Sequence, residues 1–201
     1  MKEHRKALRR AEIEAAAQEV LIEKGYAAAS ILDVAKRAKA SNETLYRWYG
    51  DKLGLFAALV ARNAAGGMAI LTGTIAQDAP LEQRLEAFGR ALLKGILSDS
   101  AVELNRAAAA DATGQLGKSI AENGRDAVMP LLQKLFATSK PNLTFASDME
   151  AAESFIALLV SDMQARRIIG TLPSPDEAFI DARVDQAIAQ FKVLGGWDTS
   201  A

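Results

Sequence analysis

The stretch "SILDVAKRAKASNETLYRWYGDK", residues 30–52, reads as two short helices joined by a bend. Ser30, with Asp33 three residues on, is an N-cap signal, and Ile31, Val34, Ala35 and Ala38 follow at helical spacing; the pattern predicts a helix over 31–38. Ser41 caps a second helix over 42–48. Only "AKAS" separates the two. That is the layout of a helix–turn–helix, whose second helix enters the DNA major groove.

Sorted by angle, the second helix has two sides. Leu45 and Tyr49 lie four apart and are expected to pack on Val34, Ala35 and the preceding helix. Asn42, Thr44, Tyr46 and Arg47 point elsewhere, and Trp48 lies one turn after Thr44. Taken singly, Tyr46 and Trp48 read as core aromatics; set in this motif they read as surface. Amide, hydroxyl, phenol, guanidinium and indole are all hydrogen-bond donors, which suits phosphate oxygens and base acceptors. Asp51 is expected to cap a fourth helix with Lys52 in its first turn, where free backbone N–H groups and a full positive charge would hold a phosphate.

Charge and composition agree with a DNA-reading N-terminal end. Residues 1–52 hold 11 Lys or Arg against 8 Asp or Glu, whereas the whole chain of 201 residues has a net charge of −1. A basic end on a slightly acidic body suggests an anion-binding end. Lys2, Arg5, Lys6, Arg9 and Arg10 read as a solvated face, with a basic arm to the adjacent groove as the alternative. There is no cysteine and a single histidine, His4, so thiolate chemistry is excluded and a transition-metal site is not expected. No cofactor is expected either. No uninterrupted apolar run reaches membrane-spanning length and no signal-peptide core opens the chain, so a cytoplasmic protein without a membrane partner is expected.

Helical periodicity continues almost throughout, and the expected fold class is all-α with about nine helices. Ile13, Ala16, Ala17, Val20 and Leu21 form the face of a first helix closed by Gly25. The fourth helix runs through Leu55, Phe56, Leu59 and Val60. Leu81, Leu85, Phe88 and Leu92 form the stripe of a fifth. "KSIAENGRDAVMPLLQKLFATS" is expected to be one helix kinked at Pro130. Ser147 and Glu150 open a long helix ending near Gly170. "SPDE" at 174–177 is expected to start the last, with Ser174 as N-cap and Gly195–Gly196 as its stop.

The segment "IEAAAQEVLIEKGYAAASILDVAKRAKASNETLYRWYGDKLGLF" resembles the DNA-binding domain of the tetracycline-repressor (TetR) family of bacterial regulators, through "EKGY", "SILDVAKRA", "SNETLYRWY" and "DK-L" at matching spacing. The resemblance implies a helix–turn–helix domain over 1–52 and a helical bundle over 53–201 that binds ligand and dimerises. It places Asn42, Glu43 and Arg47 toward the groove and Thr44, Tyr46, Trp48 and Lys52 at phosphate-contacting positions; with Ser30 these form the expected DNA-binding set. Two residues depart from the pattern. Lys39 stands where the family usually has the turn Gly, and Glu43 where a Gly is common.

The implied function is a ligand-responsive regulator, a repressor that binds a palindromic operator in double-stranded DNA as a homodimer and is released by a small, largely apolar effector. Met68, Leu71, Phe88, Leu92, Met129 and Phe155 are the expected effector-binding residues, with Arg106 or Asp111 as polar anchors. Leu159, Met163, Ile188 and Phe191 are the expected dimer interface, and core packing within the subunit competes for each. "SFIALLVSDMQARRIIG" is similar to a branch of the family that regulates efflux or lipid and aromatic metabolism. The alternative is a small-molecule sensor of the same fold without specific DNA reading. An enzyme is not expected: Glu82, Glu86, Glu150 and Glu153 have no nucleophile or oxyanion feature beside them.

Overall fold

A computed structural model describes residues 2–73, 79–139 and 142–197, with side chains from His4 onward. Those residues form helices and connecting turns, with no strand among them. The helical segments are α1 (Lys2–Ala28), α2 (Ile31–Arg37), α3 (Asn42–Tyr49), α4 (Lys52–Leu71), α5 (Leu81–Ile96), α6 (Asp99–Ala110), α7 (Gln115–Asn123), α8 (Arg125–Ser139), α9 (Asp148–Val160), α10 (Met163–Ile168) and α11 (Glu177–Gly195). Pairs α7/α8 and α9/α10 each stand where a single helix is expected, so the segments trace the nine rods of the sequence reading.

The chain folds into two compact units. The first comprises the chain to Arg62 with Asp99–Asn123, and the second Asn63–Ser98 with the chain from Gly124 on. In the first unit Ile13, Ala17, Val20 and Leu21 of α1 pack with Val34, Leu45, Leu55, Phe56, Leu59 and Leu104. The second is centred on Phe88, Phe136, Phe155 and Phe191, with Leu132, Leu159 and Val184 around them. Phe191 meets four rings, stacking on Phe145 at 5.3 Å, tilted against Phe136 at 5.5 Å, and standing edge-on to Phe155 at 5.5 Å and to Trp197 at 6.3 Å. Offset and edge-on pairs of this kind add stability beyond their buried area.

Caps place most helix starts where the sequence puts them. Ser30 and Asp33 form a full capping box, with Ser30 Oγ accepting from the Asp33 N–H at 3.1 Å. Ser41 and Ser147 accept from Thr44 and Glu150 N–H groups, both at 3.1 Å. Asp51 Oδ1 accepts from the Gly54 N–H at 2.7 Å at the start of α4. Gly25 interrupts α1 with φ 70° and Gly196 ends α11 in the left-handed region, conformations that cost an L side chain.

Several expectations are corrected. The last helix starts at Glu177, with Asp176 rather than Ser174 as N-cap; its carboxylate accepts from the Phe179 N–H at 2.8 Å. The single helix expected over 118–139 is broken at Gly124: α8 runs through Pro130, and the Gly124 carbonyl accepts its first helical bond, from Val128. On α5 the buried residue is Leu93, while Leu92 is half-buried. Gly89 brings Val184 and Leu159 against the helix, so the ridge Leu85–Gly89–Leu93–Leu97 faces inward. Finally, α4 is long and apolar enough to cross a membrane by length and composition. It feeds both cores, Leu55, Phe56 and Leu59 into one and Ile70 and Leu71 into the other, so its apolar residues are spread around the rod rather than confined to a stripe.

The expected long helix 148–170 is broken at Ser161, where φ is 47° and ψ −133°. The carbonyls of Leu158 and Leu159, which lose helical partners there, instead accept from the guanidinium of Arg183 on α11. Backbone acceptors orphaned by a break need such partners when water is excluded.

Candidate nucleic-acid interface

Helix α3 is eight residues long and two-sided. Leu45 is 0 % exposed and anchors it in the first unit's core, while Tyr46, the next residue round the helix, is 55 % exposed. Asn42, Glu43 and Arg47 are exposed with it, and Thr44 and Trp48 are half-buried at the flanks. Glu43 and Arg47 approach to 3.9 Å, one turn apart. A solvent-exposed pair at this spacing contributes only about 0.3–0.5 kcal/mol, so Arg47 is readily given up to another anion.

The inner side is held by a polar contact to α1. Tyr49 donates its hydroxyl proton to Glu14 at 3.4 Å. Burial, with the Glu14 charge adding to it, pushes the Tyr49 phenol up to about 12, and burial also raises the Glu14 carboxyl above its ordinary range against the pull of Arg62. Where α3 meets α4 there is no spare room: a Cβ on Gly54 would lie 2.0 Å from the Tyr49 carbonyl oxygen.

Lys52 is placed at the start of α4 as expected but is not free. Its ammonium donates to the Ala27 carbonyl at 3.2 Å and sits 4.3 Å from the Tyr26 ring centroid, and burial lowers its pKa. A phosphate at this corner would share the ammonium with the end of α1. Ser30 serves as the α2 cap, and its hydroxyl donates to Asp33 Oδ2 at 2.6 Å. The Lys24 ammonium, with Ser30, holds the Asp33 carboxyl down at about 2.

The turn before α3 carries the Lys39 departure. Lys39 has φ 49°, the left-handed conformation that costs a residue with a Cβ about 1 kcal/mol.

Sequence reading took the basic residues of α1 as solvated, and two of them are engaged. Arg9 donates to the carbonyls of Ala38 and Lys39, and the Arg10 guanidinium lies 5.7 Å from the Trp48 ring centroid. The alternative of a basic arm does not describe this segment, which is helical from Lys2. Arg37 also ties α2 to α1 through Glu19 and Glu23, and Glu23 above all raises its pKa. These contacts join residues up to 38 positions apart (10 and 48), for which linear spacing gives no signal.

The sequence profile "Bacterial regulatory proteins, tetR family" matches residues 13–59, and "AefR-like transcriptional repressor, C-terminal domain" matches residues 83–193. The chain belongs to the TetR family. It is a DNA-binding transcriptional regulator, not an enzyme.

Solved TetR structures share the fold. A TetR transcriptional regulator from Agrobacterium tumefaciens is 29 % identical, with a TM-score of 0.68 over 92 % of this chain and 94 % of that one. A Mesorhizobium loti protein assigned to the TetR family is 23 % identical, with a TM-score of 0.73 over 94 % and 98 %. The transcriptional regulator FadR of Bacillus subtilis, in complex with stearoyl-CoA, is 13 % identical, with a TM-score of 0.66 over 90 % and 96 %. No match is found among curated protein sequences.

In this TetR chain the expected effector residues divide. Leu71, Phe88, Met129 and Phe155 are buried in the second unit's core, with Met68 and Leu92 packed against it. Arg106 is exposed on α6, in the first unit, 2.6 Å from Glu103. Asp111 caps α7, accepting from Thr113 and Leu116 N–H groups, and these bonds lower its pKa. The expected interface residues Leu159, Met163, Ile188 and Phe191 are at most 4 % exposed in the single subunit. Their side chains fill the core because α9, α5 and α11 close over them, leaving no surface for a second copy to touch. The outward side of α11 instead shows Phe179, Ala182, Gln186, Ala189 and Val193.

Proposed function

We propose that the chain is a homodimeric repressor that reads a palindromic operator with α3 and releases it when a small, largely apolar effector binds. One observation carries the DNA reading. A short helix rooted by Leu45 turns Asn42, Tyr46 and Arg47 outward, every one a donor, within a segment with surplus positive charge. We assign reading to residues 1–52 and effector binding and dimerisation to 53–201. Asn42, Glu43 and Arg47 face base edges, and Thr44, Tyr46, Trp48 and Lys52 face phosphates, with Ser30 at the flank.

Two half-sites one helical turn apart call for a two-fold dimer. The outward side of α11 supports one. Phe179, Ala182, Gln186, Ala189 and Val193 recur at alternating steps of three and four, the spacing of a helix–helix seam. The effector enters among Met68, Leu71, Phe88, Leu92, Met129 and Phe155, whose apolar character suits a largely apolar molecule. The stearoyl-CoA bound by FadR, which shares the fold, carries a long apolar tail and supports an apolar binding region here. Release then follows by population shift, the ligand favouring a state that DNA does not. The protein works in the cytoplasm.

Gel-shift titration tests the reading. Tyr46→Ala and Lys52→Ala should each weaken binding to specific and random duplexes alike, by about 1–2 kcal/mol, because phosphate contacts are sequence-blind. Unchanged binding in both variants would return the chain to the alternative, a sensor of the same fold without DNA reading. The exposed carboxylate of Glu43 beside Arg47 is the feature that favours that alternative.

A further inference from the structure

Helix α2 ends in a tight reversal. The Ala40 N–H donates to the Ala35 carbonyl at 2.9 Å and the Lys39 N–H to the Lys36 carbonyl at 3.3 Å, the two crossed bonds of a Schellman motif. The residue at its left-handed position is Lys39, at φ 49°. Two residues later Ser41 caps α3. The direction in which α3 leaves α2 is therefore set by a turn whose backbone conformation its own side chain disfavours.

A single side chain from outside holds that turn. Arg9 Nη2 donates to the Ala38 carbonyl at 2.9 Å and to the Lys39 carbonyl at 2.7 Å, the two peptide oxygens on either side of the disfavoured φ. Its Nη1 is fixed on Glu12, one turn along α1. The same guanidinium brings positive charge to the C-terminal end of α2, where the helix dipole favours it. Arg9 is half-buried, and α1 behind it is rooted by Ile13, Ala16 and Ala17 in the core.

We propose that Arg9 is a positioning residue for DNA reading: it clamps the strained Lys39 turn and so fixes the angle at which α3 presents its donors. This rests on the DNA-binding reading above and adds to it a residue that touches no nucleic acid. The clamp acts because of the strain. Where glycine takes position 39 the turn holds its shape unaided, and Arg9 becomes dispensable.

A double-mutant cycle tests this on the full-length chain. The probe is a labelled duplex that the wild-type protein enriches from a random-sequence pool, read by anisotropy at several salt concentrations alongside each variant's melting temperature. Arg9→Met keeps the apolar stem and removes the donors; it should weaken binding about tenfold at a temperature where every variant is folded. Arg9→Lys should fall between. Lys39→Gly should bind as wild type does, and adding Arg9→Met to it should change affinity by less than about threefold. The slope of log affinity against log salt should be the same in all.

Equal losses from Arg9→Met in both backgrounds would overturn the clamp, as would no loss in either. A slope reduced by about one in Arg9→Met would mark a direct phosphate contact and overturn it too. If the wild-type chain enriches no duplex, the DNA reading fails and takes the clamp with it; enrichment followed by indifference to Arg9 sinks the clamp alone.

Discussion

Tyr49 is the residue on which the inner side of the reading helix turns. Its phenol, which ionises near 10 in an unfolded chain, is pushed up to about 12 in the fold, where burial and the neighbouring Glu14 disfavour the phenolate. The folded protein therefore keeps a proton that the unfolded chain releases. Stability from this source is whole below pH 10 and drains away as pH rises toward 12. Urea midpoints measured from pH 10 to 12 should fall more steeply for the wild type than for Tyr49→Phe, which has no phenol to titrate. Parallel curves would show that Tyr49 ionises as freely in the fold as outside it. Much at this scale was legible from type and spacing alone: Leu45 inward, Tyr46 outward, Ser30 and Ser41 as caps. Arg9, Arg10 and the commitment of Lys52 to Ala27 were not, because each depends on a partner that only the folded chain brings near.

At the scale of elements, the helices were read from periodicity, and the errors fell at their ends. A Ser–Pro–Asp–Glu run offers two capping residues, and nothing in the four letters ranks them. In the fold Asp176 holds the Phe179 N–H and Ser174 lies outside the helix. Asp176→Ala should cost about 1 kcal/mol in thermal or denaturant unfolding, and Ser174→Ala close to nothing. The reverse order would restore the sequence reading. Pro130 lies inside α8. A proline inside a helix forfeits one bond, but a helix buried along its length by Val128, Met129, Leu132 and Leu135 recovers more from packing than that bond supplies. Gly124, with no side chain to bury, is the weaker point. The break at Ser161 had no sequence signature, since serine is ordinary in a helix and the group that takes up the freed carbonyls, the guanidinium of Arg183, is remote in sequence.

At the scale of the molecule, sequence patterning separated core from surface well but not one core-facing role from another. Phe191 and Ile188 were apolar at helical spacing, which is as true of a subunit interior as of an interface, and the fold places them inside. The two roles separate by mutation. Phe191→Ala should destabilise the subunit by about 3–5 kcal/mol, as loss of a buried ring does. Paired Ala182→Asp and Ala189→Asp, on the outward side of α11, should leave each subunit folded and split the proposed dimer in sedimentation. A dimer that survives both aspartates would move the seam elsewhere. The chain contains two tryptophans, and they fall one to each compact unit: Trp48 beside Arg10 in the first, Trp197 against Phe191 and Lys192 in the second. Removing either leaves a single tryptophan. Excited to the red of tyrosine absorption, a Trp197→Phe chain would therefore report only on the first unit, and a Trp48→Phe chain only on the second, so that duplex capture and effector uptake acquire separate optical signals without any dye.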